Sequence, residues 1–137
     1  MSDFIFLEDE ATADVAFIAY GRTKSEMIAH ACLAVTEVMT ESKTISATVP
    51  FEKTFEAEDL LGLVYDVLNY LLFLFDTEEL FFNKFNITLD EKNNKLTLKA
   101  RGEQYQPTKH LIKTHIKAVT FFGMQFDDTG LKVTLDL

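Results

Sequence analysis

One cysteine, two prolines, five glycines and no tryptophan leave this 137-residue chain without the materials that several protein classes need. Cys32 has no second thiol to pair with, which excludes an internal disulfide. Glycine is too sparse to build a phosphate-cradling loop, and neither a Walker-type motif nor a G-x-S-x-G elbow occurs. An independent nucleotide enzyme is therefore not expected. Cations are also in deficit, with 13 Lys and Arg against 22 Asp and Glu for a net charge of −9. Affinity for a phosphate backbone comes mainly from clustered Lys and Arg, so this balance predicts no direct binding to nucleic acid. The opening MSDFIFLEDE carries acids where a secretory signal needs a basic segment and an apolar run, which reads as a cytoplasmic protein. The most apolar stretch, Leu60 to Phe75, would span only about 24 Å as a helix and holds Asp66 and Asn69 in its middle. No membrane span is expected.

What is present favours a packed core. The apolar fraction is 47%, with 13 Phe, far too rich for a disordered chain even at this charge, and 137 residues suit a single domain over residues 1–137. Asp3 to Leu7 and Val15 to Tyr20 read as strands around an acidic turn at Glu8, Asp9 and Glu10. Thr23-Lys-Ser-Glu26 fits a capping box, opening a helix to about Met39 whose apolar residues recur at three- and four-residue steps. Thr44 to Phe55 alternates as a strand, with Pro50 pushing it to a sheet edge or bulge. A second, nearly all-apolar helix follows Glu56, Glu58 and Asp59 and closes at Asp76 or Thr77. Leu80–Leu89 and Lys95–Arg101 flank the polar turn DEKNN as a hairpin, and Leu111–Phe122 and Leu131–Leu137 read as two further strands. The sum is an α+β domain, two helices packed on mainly antiparallel β-sheet.

Phe6-Leu-Glu-Asp-Glu-Ala-Thr-Ala-Asp14-Val15, continuing to Tyr20-Gly21, resembles the opening motif D-H-T-A-D-V of the archease family. Ordered similarity resumes at Val38-Met39-Thr40, from Leu68 to Glu78, at Gly102-Glu103, at Lys109-His110, at Ile116-Lys117-Ala-Val-Thr120 and at the terminal Leu135-Asp136-Leu137. The chain departs from the family pattern at Ala11 and Phe122, where His is usual, and lacks the aromatic commonly found near Leu131. The resemblance implies a non-catalytic accessory protein of an RtcB-type RNA ligase in tRNA splicing, promoting ligase guanylylation and repeated turnover. It also implies a divalent-ion site, for Ca²⁺ or for Mn²⁺ or Mg²⁺, at Asp14, Asp136 and Leu137, the last through its terminal carboxylate or main-chain oxygen. Hard cations take such oxygen ligands. Lys117, Lys109 and His110 are candidates for contact with the partner.

Each of these residues also has a plainer reading. Asp14 could start a strand, Asp136 could be a solvated acid, Lys117 an exposed strand residue, and Lys109 and His110 part of an exposed loop after Pro107. His110 and His115 are five apart, which a strand would send to opposite faces, so a shared zinc is not expected. His30 and Cys32, at i and i+2 on a helix, do not face each other and cannot form a nucleophilic pair. Two other functions fit the acids: a metal-dependent phosphoester hydrolase with Asp14 and Asp136 as ligands and Lys117 as stabiliser, or a metal-free interaction domain.

Overall fold

The computed structural model describes residues 3–7 and 14–137. The acidic turn at Glu8, Asp9 and Glu10, and Ala11, lie outside the described residues. The described elements run β1 (Phe4–Leu7), β2 (Val15–Tyr20), α1 (Lys24–Met39), β3 (Val49–Glu56), α2 (Leu60–Glu78), β4 (Leu80–Asp90), β5 (Lys95–Gln104), β6 (Ala118–Phe126) and β7 (Gly130–Asp136). All strand pairs are antiparallel, and they form two sheets rather than one, ordered β1-β2-β7-β6 and β3-β5-β4. Both helices contact both sheets, so the α+β architecture is a pair of sheets with the helices packed between them. Each helix can then bury more than one face, which explains why α2 tolerates apolar residues nearly all round.

Local chemistry sets the helix ends. Thr23 caps α1 by accepting from the N–H of Glu26 at 3.1 Å, while the Glu26 carboxylate accepts from the N–H of Arg22, one residue earlier than a capping box requires. Asp59 caps α2 through the N–H of Gly62 at 2.8 Å, and α2 ends where Glu79 turns left-handed at φ 54°. At 19 residues α2 is longer than expected and apolar enough by composition to cross a membrane. It is instead a core helix, burying Leu63, Val64, Val67, Leu68, Leu71, Leu72 and Leu74 between the sheets.

One expected strand shortens and another shifts, starting later than Leu111 and running past Phe122 to Phe126. Thr44 closes a short 3-10 turn at Ser42–Thr44, residues 45–48 lie outside any strand, and β3 starts at Val49 as an edge strand, as Pro50 requires. Residues 111–117 are not a strand either, since β6 begins at Ala118. Ile116 is buried, but the chain before it is held by individual bonds, such as Lys113 N–H to the Met39 carbonyl at 2.9 Å, rather than by a ladder. Alternation alone could not distinguish the two.

Asn69, the polar residue in the middle of α2, closes the free edge of β6. Its amide nitrogen donates to the Val119 carbonyl at 3.1 Å and its amide oxygen accepts from the Val119 N–H at 2.9 Å, standing in for a neighbouring strand. Replacing Asn69 by Leu should cost about 2 kcal/mol, because two backbone groups at a half-buried edge lose their partner. Denaturant unfolding of the variant checks this, and an unchanged midpoint would remove the clamp from the account.

Candidate functional site

Strands β2 and β7 pair in the register Val15↔Leu135 through Tyr20↔Gly130. Phe17, Ala19, Leu131, Val133 and Leu135 face the core and are fully buried. Continuing that ladder one step past Val15 and Leu135 sets Asp14 opposite Asp136, on the face away from the core. Two acids 122 positions apart in the chain are thus placed at the same end of the four-stranded sheet. Asp136 is exposed and Asp14 half-buried. Like charges directly opposite on neighbouring strands are unfavourable, and such a pair is relieved by a bound cation.

Among the described residues, the neighbours on this face are small. Ala118 pairs with Asp136 across β6, and the next row on the same face holds Ala16, Thr134 and Thr120, so the floor beneath the pair is made of small side chains. Lys117 reaches the same end: its N–H donates to the Asp136 carbonyl at 2.8 Å, beside Leu137, and its side chain is exposed. Leu137 packs its side chain against the rim of the core. Asp14, Asp136, Leu137 and Lys117 are therefore brought together by the β2-β7-β6 ladder.

The structure adds a feature that the alternation pattern did not disclose. Between Thr120 and Gln125 the β6 ladder slips, and residues 121–123 bulge out with Gly123 at φ 68°, while Met124 turns back into the core. A Cβ on Gly123 would lie 3.7 Å from Thr134 Oγ1, so the bulge folds over the outer face two residues from Asp136. It carries Phe122, 81% exposed, at the position where the resemblance expects His. Phe121 stacks on Tyr65 of α2, centroids 4.2 Å apart and planes at 4°. Gly123 falls just past Phe122, where alternation predicts the strand to end, so the pattern gives no sign of the bulge.

Lys109 and His110 belong elsewhere; Lys109 is exposed as expected, whereas His110 is not. His110 is 3% exposed, because its ring is packed edge-on against Phe81 and hydrogen-bonded at both nitrogens. Nδ1 accepts from the Gln106 N–H at 2.9 Å, so Nε2 carries the hydrogen donated to Glu103 Oε2, also at 2.9 Å. The same Glu103 oxygen receives Lys109 Nζ at 2.6 Å and the Ser46 N–H at 2.8 Å. Burial pushes the Glu103 carboxyl up, but the bonds from Lys109, Ser46 and His110 together with the Lys109 charge outweigh it and hold the group at about 2. This is a structural knot joining the loop before β3 to the end of β5. It leaves His110 no surface to offer a partner. His115 lies apart from it, exposed, with Nε2 3.8 Å from Asp76, so the two histidines do not share a site.

Among the described residues no group of three or more His, Cys, Asp or Glu side chains is arranged to hold a metal. The acid pair is of the right kind for a hard cation, which takes roughly six to eight oxygens, but two carboxylates and a main-chain oxygen supply only about three to five of them. An ion held here would need water or another molecule's groups to complete its shell.

Among the described residues, this is an antiparallel α+β domain with Asp14 and Asp136 at the same end of one sheet. Known proteins resemble it in sequence and fold. The model of the Archease protein family matches residues 4–137. The chain is 39% identical over 143 aligned positions to the protein archease of Methanothermobacter thermautotrophicus, covering 100% of both chains. It is 38% identical to the Sulfurisphaera tokodaii protein archease, covering 95% of this chain and 92% of that one. The solution structure of a Methanobacterium thermoautotrophicum protein superposes with a TM-score of 0.84 at 37% identity over all of both chains. A Thermotoga maritima protein described as an archease and possible chaperone shares the fold, with a TM-score of 0.58 at 21% identity over 95% of this chain and 94% of that chain. The chain belongs to the archease family.

Proposed function

We propose that this protein is a non-catalytic activator of an RtcB-type RNA ligase in tRNA splicing, acting at the sheet end that carries Asp14 and Asp136. The observation that supports it most is the β2-β7 register, which sets these two acids opposite one another on one face. Leu137 would add a main-chain oxygen. A bound divalent ion would supply positive charge to organise phosphate oxygens during guanylylation of the ligase. The chain's own residues supply the rest: the carboxylates hold negative charge at the pole, small side chains leave room for an approaching surface, and Lys117 and the Phe121–Phe122 bulge flank it. The incomplete ligand set favours action in trans over a self-contained hydrolase, because the missing oxygens can come from the partner's own site.

Immobilised protein should retain a purified RtcB-type ligase from the same organism, and Asp14→Asn with Asp136→Asn should lose it. Failure of the unmodified protein to retain or stimulate the ligase at micromolar concentrations would end this reading.

A further inference from the structure

The outer face of the β3-β5-β4 sheet is built from four cross-strand rows whose charge changes along the sheet. At one end Lys95 sits between Glu56 and Asp90, with its Nζ 3.4 Å from Glu56. The next row is neutral, Thr54, Thr97 and Thr88, with the first two hydroxyls 3.0 Å apart. Then Lys99 lies between Glu52, at 4.0 Å, and Asn86. In the last row Arg101 is directly opposite Lys84 on one side and Pro50 on the other. Two cations face each other there with no acid in the row, a placement that natural sheets normally avoid because it is destabilising.

The fold maintains this placement deliberately in the physical sense. The β4 ladder slips at Asn83, and that bulge turns Lys84 to the same face as Arg101. Asn83 is pinned by donating to the carbonyls of Ser42 and Ile45, at 3.0 and 2.7 Å. Gly102 permits the approach, since a Cβ there would collide with the Phe81 carbonyl. Among the described residues neither Lys84 nor Arg101 lies within ion-pairing distance of an acid. The two side chains, with Lys99, Asn86 and one acid, Glu52, line an open groove of about 580 Å³.

We propose that the Lys84, Lys99 and Arg101 end of this sheet face docks the phosphate backbone of RNA. Three cations against the single acid Glu52 in the groove call for a polyanion, and the outward side chains of the four rows include no aromatic or large aliphatic residue to anchor a protein hot spot. Nucleic-acid interfaces are polar and cationic in this way. RNA rather than another polyanion rests on the ligase reading above. The net charge of −9 averages over the whole surface and hides this face. It also means that binding is weak alone and becomes effective when a partner holds protein and RNA together.

Fluorescence anisotropy with a labelled RNA stem-loop at low salt tests the proposal, comparing Lys84→Gln/Arg101→Gln with Lys92→Gln/Lys95→Gln, which removes the same charge at the far end of the sheet. The first pair should weaken binding about tenfold and lower the slope of log affinity against log salt by about 1 to 2, the second by less than twofold in affinity. Equal losses in both pairs, no salt-dependent binding by the unmodified protein, or competition by polyglutamate as effective as by unlabelled RNA would each overturn it. Ligase stimulation measured in parallel separates the two readings. RNA binding without stimulation contradicts the activator function and leaves this surface in place, whereas stimulation without RNA binding removes the surface alone.

Discussion

Glu103→Gln should lower the melting temperature by about 10 °C at neutral pH, the largest stability effect expected from one polar substitution in this protein. The carboxylate takes three hydrogen bonds on one oxygen, from Lys109, Ser46 and His110, and Gln106 Nε2 lies 3.3 Å from the other. A Gln amide oxygen can still accept from these donors, but it brings no charge to pair with Lys109, and its amide nitrogen would face Gln106 Nε2, another donor. Breaking a buried charged network by removing one partner typically costs about 3 kcal/mol or more, which at this chain length is roughly 10 °C. The pH dependence follows from the same group. Its folded value of about 2 lies below the ordinary 4.5, so its contribution is present above about 4.5 and is lost as pH falls from there through about 2. Melts of the unmodified protein should fall through this window more steeply than those of the Gln variant. Parallel curves would show that Glu103 is not the titrating anchor.

Asp14→Asn and Asp136→Asn should each cut affinity for Ca²⁺ or Mn²⁺ at least tenfold, and together should abolish the stabilisation that the ion provides. A ligand at about 100 times its dissociation constant adds about 2.7 kcal/mol, worth roughly 9 °C in a domain of this size. Without ion Asp136→Asn should melt at or slightly above the unmodified protein, since it removes an exposed charge from an acidic chain at a face outside the core. Scanning calorimetry with and without ion reads both effects. Variants that bind the ion normally would move the cation site away from these acids.

Much of this was legible before any coordinates. Strands β1, β2 and β7, both helices and the β4-β5 hairpin follow from alternation, capping residues and turn chemistry, which are local. The pairing of Asp14 with Asp136 is not local, since it depends on β2 and β7 being neighbours, and only resemblance to the family pointed to it. What the pattern misread was the stretch from 111 to 117, where apolar and polar residues alternate without a ladder to join, so that periodicity mimicked a strand. The burial of His110 was equally hidden, because a polar loop after Pro107 gives no sign that Phe81 and Glu103 will close over it. Bulges at Asn83 and Gly123 set the aim of Lys84 and Phe122, and a slipped register has no signature beyond a polar residue where a regular strand would not want one.

The central claim is that the acid pair makes this protein an activator of a ligase. Its most direct test is the initial rate at which a purified RtcB-type ligase forms its covalent guanylate adduct, measured with GTP and divalent ion alone, with this protein, and with Asp136→Asn at equal concentration. The account predicts a rate raised at least tenfold by the unmodified protein and returned to the ligase-alone value by the Asn variant, with both proteins equally folded by circular dichroism. Equal stimulation by the two proteins would contradict it.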